Sequence, residues 1–323
     1  MGTYHRVRVL AGAGEREAIR GLVEERLDAV DRAMSTYRQD SEISRFNRLG
    51  AGESLVFSEE TWAVLELAWR VREDSGGAFD PTVGPLVDAW GFGAPGRDAE
   101  PTPVADDRLA EMKGAVGAIE LLSEERRVLK LEDGAAFDLS AIAKGWATDR
   151  VSEALSHAGF GNHLVEVGGE VRTAGHSPAG DPWRIAIERP PVRAADSPPS
   201  APTATKEDAT HPGLQKVLPF TDGALATSGD YRNYWERDGV RYSHTIDPRT
   251  GQPVEHGLAS ASVFHESCAL ADAYATVLMV LGPEDGLEWA DENDIAALLL
   301  IYRGDSLEEL PSRAFRDRFG PAE

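Results

Sequence analysis

The clearest periodicity in the chain lies between Leu225 and Leu281. Val240, Tyr242, His244 and Ile246 alternate there with Arg241, Ser243 and Thr245, which is the period of a strand. Asp247-Pro248 and Thr250-Gly251 then mark a turn. The stretch after it is long enough for a helix. Ser267 is its predicted cap, and Ala269, Ala271, Ala273 and Ala275 keep its surface low enough for another backbone to approach. Upstream, Tyr4 to Leu10 alternates as a short opening strand, and Gly12 to Gly14 ends it. Ile19, Leu22, Val23, Leu27, Val30 and Met34 recur at helical spacing, with Glu24, Glu25, Arg26 and Asp31 on the other face. The chain leaves that helix at Ser35-Thr36-Tyr37-Arg38, and Asp40 to Asn47 reads as a polar turn holding Ile43 and Phe46. A second helix begins at Ser58, buries Trp62, Leu65 and Trp69, and ends near Asp74.

The remaining pattern is coarser. A helix from about Ala105 to Met112 precedes two strands that end near Ala136, and Asp138 to Gly145 opens a helix continuing through Leu155. Leu164 to Val171 reads as a strand interrupted at Gly168-Gly169 by a bulge or a crossing ligand. Trp183 to Ile187 is a further strand. From about 190 to 212 the chain is rich in Pro, Ala, Ser and Thr, the composition of a flexible surface insertion rather than a domain boundary. Beyond Pro283 come a helix, a strand at Ala296 to Tyr302 and a polar tail. Strands and helices mix without a regular βαβ rhythm, so the expected fold class is α+β, in one domain over 1–323.

Composition narrows the partners. A formal net charge of −22 argues against nucleic acid or an anionic membrane as a non-specific partner. An anionic cofactor therefore needs local help from a metal ion, helix N-termini or placed Lys and Arg side chains. The single cysteine, Cys268, rules out an intrachain disulfide and a cysteine metal cluster. No stretch approaches the roughly 18–20 apolar residues of a membrane span.

The candidate chemistry gathers around one helix. Asp272 and Thr276 are four residues apart, so a carboxylate and a hydroxyl stand one turn apart on one face. Two readings stand. Both groups are hard oxygen donors of the kind that Mg²⁺ takes together with water and a substrate phosphate; alternatively, Asp272 answers the helix dipole while Thr276 bonds back to a carbonyl. Gly76-Gly77-Ala78-Phe79-Asp80 is either a loop offering backbone donors to a ligand or a tight connector. The small residues of Asp138-Leu139-Ser140-Ala141 let a phosphate approach free N–H groups, with the charge of Lys144 nearby. No P-loop spacing is present. His244 is a lone strand histidine that suits a general base or an ordinary satisfied position.

The motifs S-T-Y-R-Q-D-S-E-I-S-R-F-N, G-G-A-F-D-P-T-V-G-P-L-V-D-A-W-G-F-G, D-L-S-A-I-A-K-G-W-A, V-E-V-G-G-E-V-R, S-G-D-Y-R-N-Y-W, S-H-T-I-D-P-R-T-G and A-L-A-D-A-Y-A-T span residues 1 to about 285. In that order they resemble the ApbE-type FAD:protein FMN transferases. The resemblance implies a T-fold-like arrangement of mixed sheets flanked by helices, with the FAD and metal site in a cleft. It implies Mg²⁺-dependent transfer of FMN from FAD, the substrate, to a Thr or Ser hydroxyl of an acceptor protein such as a subunit of a membrane redox complex, with AMP released. Carried onto this sequence, Met1, Tyr37, Ala78, Phe79, Asp80, Asp138, Lys144 and Ile246 hold FAD, and Ala141, through its carbonyl, joins Asp272 and Thr276 on the metal. His244 is the expected base, and Asp230 and Arg232 order the site or its acceptor loop. Ser140-Ala141 departs mildly from the family's D-L-G-G-I-A-K-G, a change that a backbone ligand tolerates. Rival readings are a metal-dependent FAD pyrophosphatase, in which water replaces the acceptor, and a non-catalytic FAD-binding protein. Met1-Gly2-Thr3 looks like the family's M-G-T motif just after an export leader, but no signal-peptide pattern precedes it, so the chain as it stands reads as cytoplasmic.

Overall fold

A computed structural model describes residues 2–93, 104–191, 213–231, 234–237 and 240–320. Met1, Arg232 and nearly all of the Pro- and Ser-rich insertion lie outside them. The described elements are β1 (His5–Val9), α1 (Arg16–Met34), α2 (Glu42–Asn47), β2 (Ser54–Val56), α3 (Glu59–Asp74), α4 (Gly84–Ala89), α5 (Asp106–Ala115), β3 (Ile119–Leu122), β4 (Arg127–Lys130), α6 (Ala143–His157), β5 (His163–Val167), β6 (Glu170–Ala174), β7 (Trp183–Glu188), β8 (Leu214–Phe220), β9 (Gly223–Gly229), β10 (Tyr234–Arg237), β11 (Val240–Ser243), β12 (Leu258–His265), α7 (Cys268–Leu281), α8 (Pro283–Glu292), β13 (Ala296–Arg303), β14 (Ser306–Pro311) and α9 (Arg313–Phe319).

The organising sheet is antiparallel, in the order β1-β5-β6-β9-β12-β13-β14. Alternation along its strands gives it two apolar faces. Leu164, Val171 and Leu225 pack with Trp183, Ile185 and Leu218 of the β7-β8 ribbon and with Phe315 of α9. On the other face Val165 and Val167 meet Val151 and Leu155 of α6, and Ala226, Ala261 and Val263 meet Ala271, Ala275 and Leu278 of α7. The far side of α7 is covered too. Ala269, Ala273 and Val277 pack with Phe46, Trp62, Leu65 and Phe137 from α2, α3 and the stretch after the small β2-β4-β3 sheet. A helix sandwiched between a sheet and a helical layer must be apolar all round. That is why Asp272 is its one charged residue. No helix among the described residues is long and apolar enough to cross a membrane.

The sequence patterns hold for the long elements and slip at the short ones. Ser58 and Ser267 cap α3 and α7 as expected, accepting from the Thr61 and Leu270 N–H groups. The turn expected over Asp40 to Asn47 contains a helix, α2, capped by Ser41. The strand expected to bulge at Gly168-Gly169 is instead a hairpin: Val167 pairs with Glu170, and the two glycines take φ of +66° and +110°. Such a tight turn needs positive φ at both central positions, which glycine supplies without strain. The alternating run from Val240 to Ile246 is a strand as far as Ser243. α6 starts at Ala143, so Asp138 to Ile142 is a turn leading into it.

The closest backbone approach near the sheet is that of α6 to α7. A Cβ on Gly145 would lie 2.2 Å from the Cys268 carbonyl oxygen and 2.8 Å from the Ala269 Cα. Both are backbone atoms that cannot swing aside. Gly145→Ala is therefore expected to lower stability by about 1–3 kcal/mol, the range of an overpacked interior, despite alanine's better helix propensity; urea unfolding followed by circular dichroism would read it, and an unchanged midpoint would contradict the contact.

Candidate active site

The first turns of α6 and α7 face one another, and a carboxylate from each serves the other. Asp149 of α6 accepts from the Ser267 hydroxyl at 2.9 Å and from the Cys268 and Ala269 N–H groups at 2.9 and 3.0 Å, closing the N-terminus of α7. Arg172 of β6 pairs with Asp149. In return, Asp272 of α7 accepts from the Gly145 N–H of α6 at 3.0 Å. An N–H group near the start of α6 is thus already engaged by Asp272, and Ser140 N–H is engaged by Asp138 at 2.8 Å.

Lys144 stands between the helices and the β5-β6 hairpin. Its Nζ lies 3.0 and 3.2 Å from the two oxygens of Asp272, 3.1 Å from Glu170 Oε1 and 3.4 Å from the Ser140 carbonyl oxygen. Burial disfavours the ammonium, but the carboxylates of Asp272 and Glu170 outweigh it and hold the Lys144 pKa above its ordinary value. Burial pushes the Glu170 carboxyl up, against the pull of Lys144. Thr276 stands one turn beyond Asp272. Its hydroxyl donates to the Asp272 carbonyl at 3.3 Å and lies 3.4 Å from Ser228 Oγ on β9. The back-bond that the sequence allowed is therefore present, but a hydroxyl that donates still has its lone pairs to offer. Asp272, Thr276 and the Ala141 carbonyl make a donor set of one carboxylate and neutral oxygens, which fits Mg²⁺.

The loop after α3 carries a second group of the expected site residues. Ala78, Phe79 and Asp80 are buried, and the Asp80 carboxylate is engaged by Arg72 at 2.5 Å and by Thr82 N–H and hydroxyl at 2.8 and 2.5 Å. Their side chains face the interior, and the Ala78 and Phe79 N–H groups donate to the Ser75 carbonyl at 3.2 Å and the Ser75 hydroxyl at 3.1 Å. Asp138 N–H donates to the Pro81 carbonyl at 2.8 Å, and Asn47 brackets the neighbouring Phe137 with bonds to its N–H and carbonyl. These bonds lock the loop to the turn that carries Asp138, Ser140 and Ala141. Tyr37, just after α1, is 54% exposed, the reverse of a core aromatic.

His244 and Ile246 follow β11. Ile246 is buried with Leu86, Trp90 and Leu109, while the half-buried His244 ring meets Phe92 edge-on with centroids 6.2 Å apart. Trp90 Nε1–H donates to the Gly251 carbonyl at 2.8 Å, fixing the Asp247 to Gly251 turn against α4. Two groups near the site carry no signal in the local sequence pattern. Glu170 meets Lys144 from across the sheet, and Asp88 of α4 faces the charge of Asp138. Cys268 is buried, which pushes its thiol pKa well up and leaves it a packing residue.

A model of the ApbE family matches residues 1–299. The chain belongs to the ApbE family. The FAD:protein FMN transferase of Vibrio cholerae is 39% identical over 319 residues, covering 98% of this chain and 90% of that one. Among solved structures, the flavin transferase ApbE from Vibrio cholerae superposes with a TM-score of 0.84 at 36% identity, covering 99% of this chain and 96% of that one. The apo form of the Pseudomonas stutzeri flavinyl transferase ApbE gives 0.83 at 33% identity, with 99% and 98% covered.

Burial, with the negative charge of Asp138 adding to it, pushes the Asp88 carboxyl up to about 6 from its ordinary 3.8. A folded-state value above the unfolded one means that ionisation costs stability, lost as pH rises through that window. Asp88→Asn removes the loss, so its gain over wild type in urea midpoint should be larger at about pH 7.5 than at about pH 5; equal differences at both would refute the assignment.

Proposed function

We infer that this chain is a Mg²⁺-dependent FAD:protein FMN transferase acting on a Ser or Thr hydroxyl of a partner flavoprotein subunit. The observation that carries this reading is the cluster of Lys144, Asp272 and Thr276 at the α6–α7 crossing, in a chain of the ApbE family. Asp272, Thr276 and the Ala141 carbonyl would hold the cation, and bound there it would neutralise charge on the FAD pyrophosphate. The rest of the work falls to protein groups. Tyr37, the backbone of Ala78, Phe79 and Asp80, and Asp138 and Ile246 would line the path of FAD; Met1, which the family resemblance adds, lies outside the described residues. Lys144 holds Asp272 in place.

In the transfer step the acceptor hydroxyl oxygen bonds to the riboflavin-side phosphorus of FAD. The P–O bond to the AMP phosphate breaks, AMP leaves with that oxygen, and the hydroxyl proton passes to a ring nitrogen of His244. The pyrophosphatase alternative differs only in having water as the acceptor. Both would use the same groups.

Intact-mass spectrometry of an acceptor subunit bearing a Ser/Thr target motif, incubated with this protein, FAD and Mg²⁺, separates them. The expected result is a gain of one phosphoester-linked FMN, lost with EDTA. Free FMN and AMP with an unmodified acceptor would favour the hydrolase instead. In the same assay Asp272→Ala and His244→Ala are each expected to abolish turnover with unchanged circular dichroism; wild-type turnover in both would remove the site assignment.

A further inference from the structure

Two carboxylates bind the one ammonium of Lys144, and the Proposed function uses only one of them. Glu170 and Asp272 have side chains 4% and 2% exposed, and both reach Nζ, at 3.1 and 3.0 Å. Ionised, the trio carries a net charge of −1, with both carboxylates buried and the Lys144 side chain 31% exposed. As a device for stability that is a poor arrangement, since one carboxylate already pairs the lysine and the second adds uncompensated buried charge. Glu170 is also incompletely satisfied. Its Oε2 is buried and has no hydrogen-bond partner among the described residues, a condition rare enough in folded proteins to need a cause.

The fold takes care to place it there. Glu170 is the first residue of β6, directly after the Gly168-Gly169 turn, and a Cβ on Gly168 would lie 3.1 Å from Lys144 Cδ. The hairpin therefore stands on the stem of the lysine whose head it binds. Because Glu170 Oε1 and Asp272 Oδ1 share one nitrogen, they lie within about 6 Å of each other. That is close enough for the two carboxylates to act on one cation and its bound water. Groups behind the ligands of a metal commonly fix ligand orientation in this way, and losing one commonly weakens binding 10–100-fold.

We propose that Glu170 is a positioning residue for the divalent-cation site: it draws Lys144 to the point from which the ammonium fixes the Asp272 carboxylate. The inference rests on the reading that Asp272 and Thr276 hold such a cation. Its role is indirect, through Lys144, so its effect should vanish once that lysine is gone.

Mn²⁺ binding to the full chain without FAD, followed by electron paramagnetic resonance, tests this apart from activity. Glu170→Gln keeps the shape and removes the charge. The expected result is Mn²⁺ affinity about tenfold weaker than wild type, with a thermal midpoint in EDTA no lower than wild type. In a Lys144→Met background the same substitution should change the affinity by less than twofold. Affinity within twofold of wild type for Glu170→Gln, a loss of affinity accompanied by a lower midpoint, or a full additional loss in the Lys144→Met background would each overturn the proposal. Should Glu170→Gln fail to fold, Glu170→Asp keeps the charge but draws it back by one methylene; weaker Mn²⁺ binding then supports the proposal and wild-type binding overturns it. A wild-type protein that binds no Mn²⁺ would overturn the cation reading itself.

Discussion

The structure depends on an exchange of carboxylates between two helices. Asp149 of α6 satisfies the first N–H groups of α7, and Asp272 of α7 satisfies the Gly145 N–H near the start of α6. Each acid sits where the partner's helix dipole is positive. The exchange works only because Gly145 has no side chain, which lets the two backbones touch. Since α7 is also the slab between the large sheet and the α2–α3 layer, its placement sets the distance between those two layers.

The same crossing resolves a conflict in the charge of the molecule. In the proposed function, a chain with a net charge of −22 would bring an anionic dinucleotide next to buried acids. It keeps its acids occupied: Asp80 by Arg72 and Thr82, Asp149 by Arg172 and three donors of α7, Asp272 by Lys144 and Gly145. An engaged carboxylate presents less field to an approaching phosphate than a bare one. Lys144 is thus spent on neighbouring carboxylates, where the local sequence suggested a cation waiting for phosphate.

How much of this the chain discloses by itself follows from the range of each interaction. α1, α3 and α7 are legible because their periodicity runs over several turns and a serine caps α3 and α7. The Asp272 and Thr276 pair is legible for the same reason, being one helical turn. The β5-β6 hairpin reads locally as a bulge, since two glycines in an apolar run permit either, and only the pairing of Val167 with Glu170 decides it. α2 is six residues long, too short for a period to stand out from its polar surroundings. Tyr37 is exposed although Ala33 and Met34, the last residues of α1, are buried, because it lies beyond the helix and outside its period. Glu170 meets Lys144 through strand pairing across 26 positions of chain, which no spacing rule anticipates. The family resemblance names the site residues more fully than pattern does, and their roles stand as the proposal above.

Lys144 also bears on the order in which the molecule is assembled. In small metal-nucleated domains the ligands repel one another until the ion arrives, and folding waits for it. Here the ammonium is already seated between Asp272 and Glu170. The two acids are answered by a side chain of the same molecule, so the chain can complete its fold without waiting for an ion.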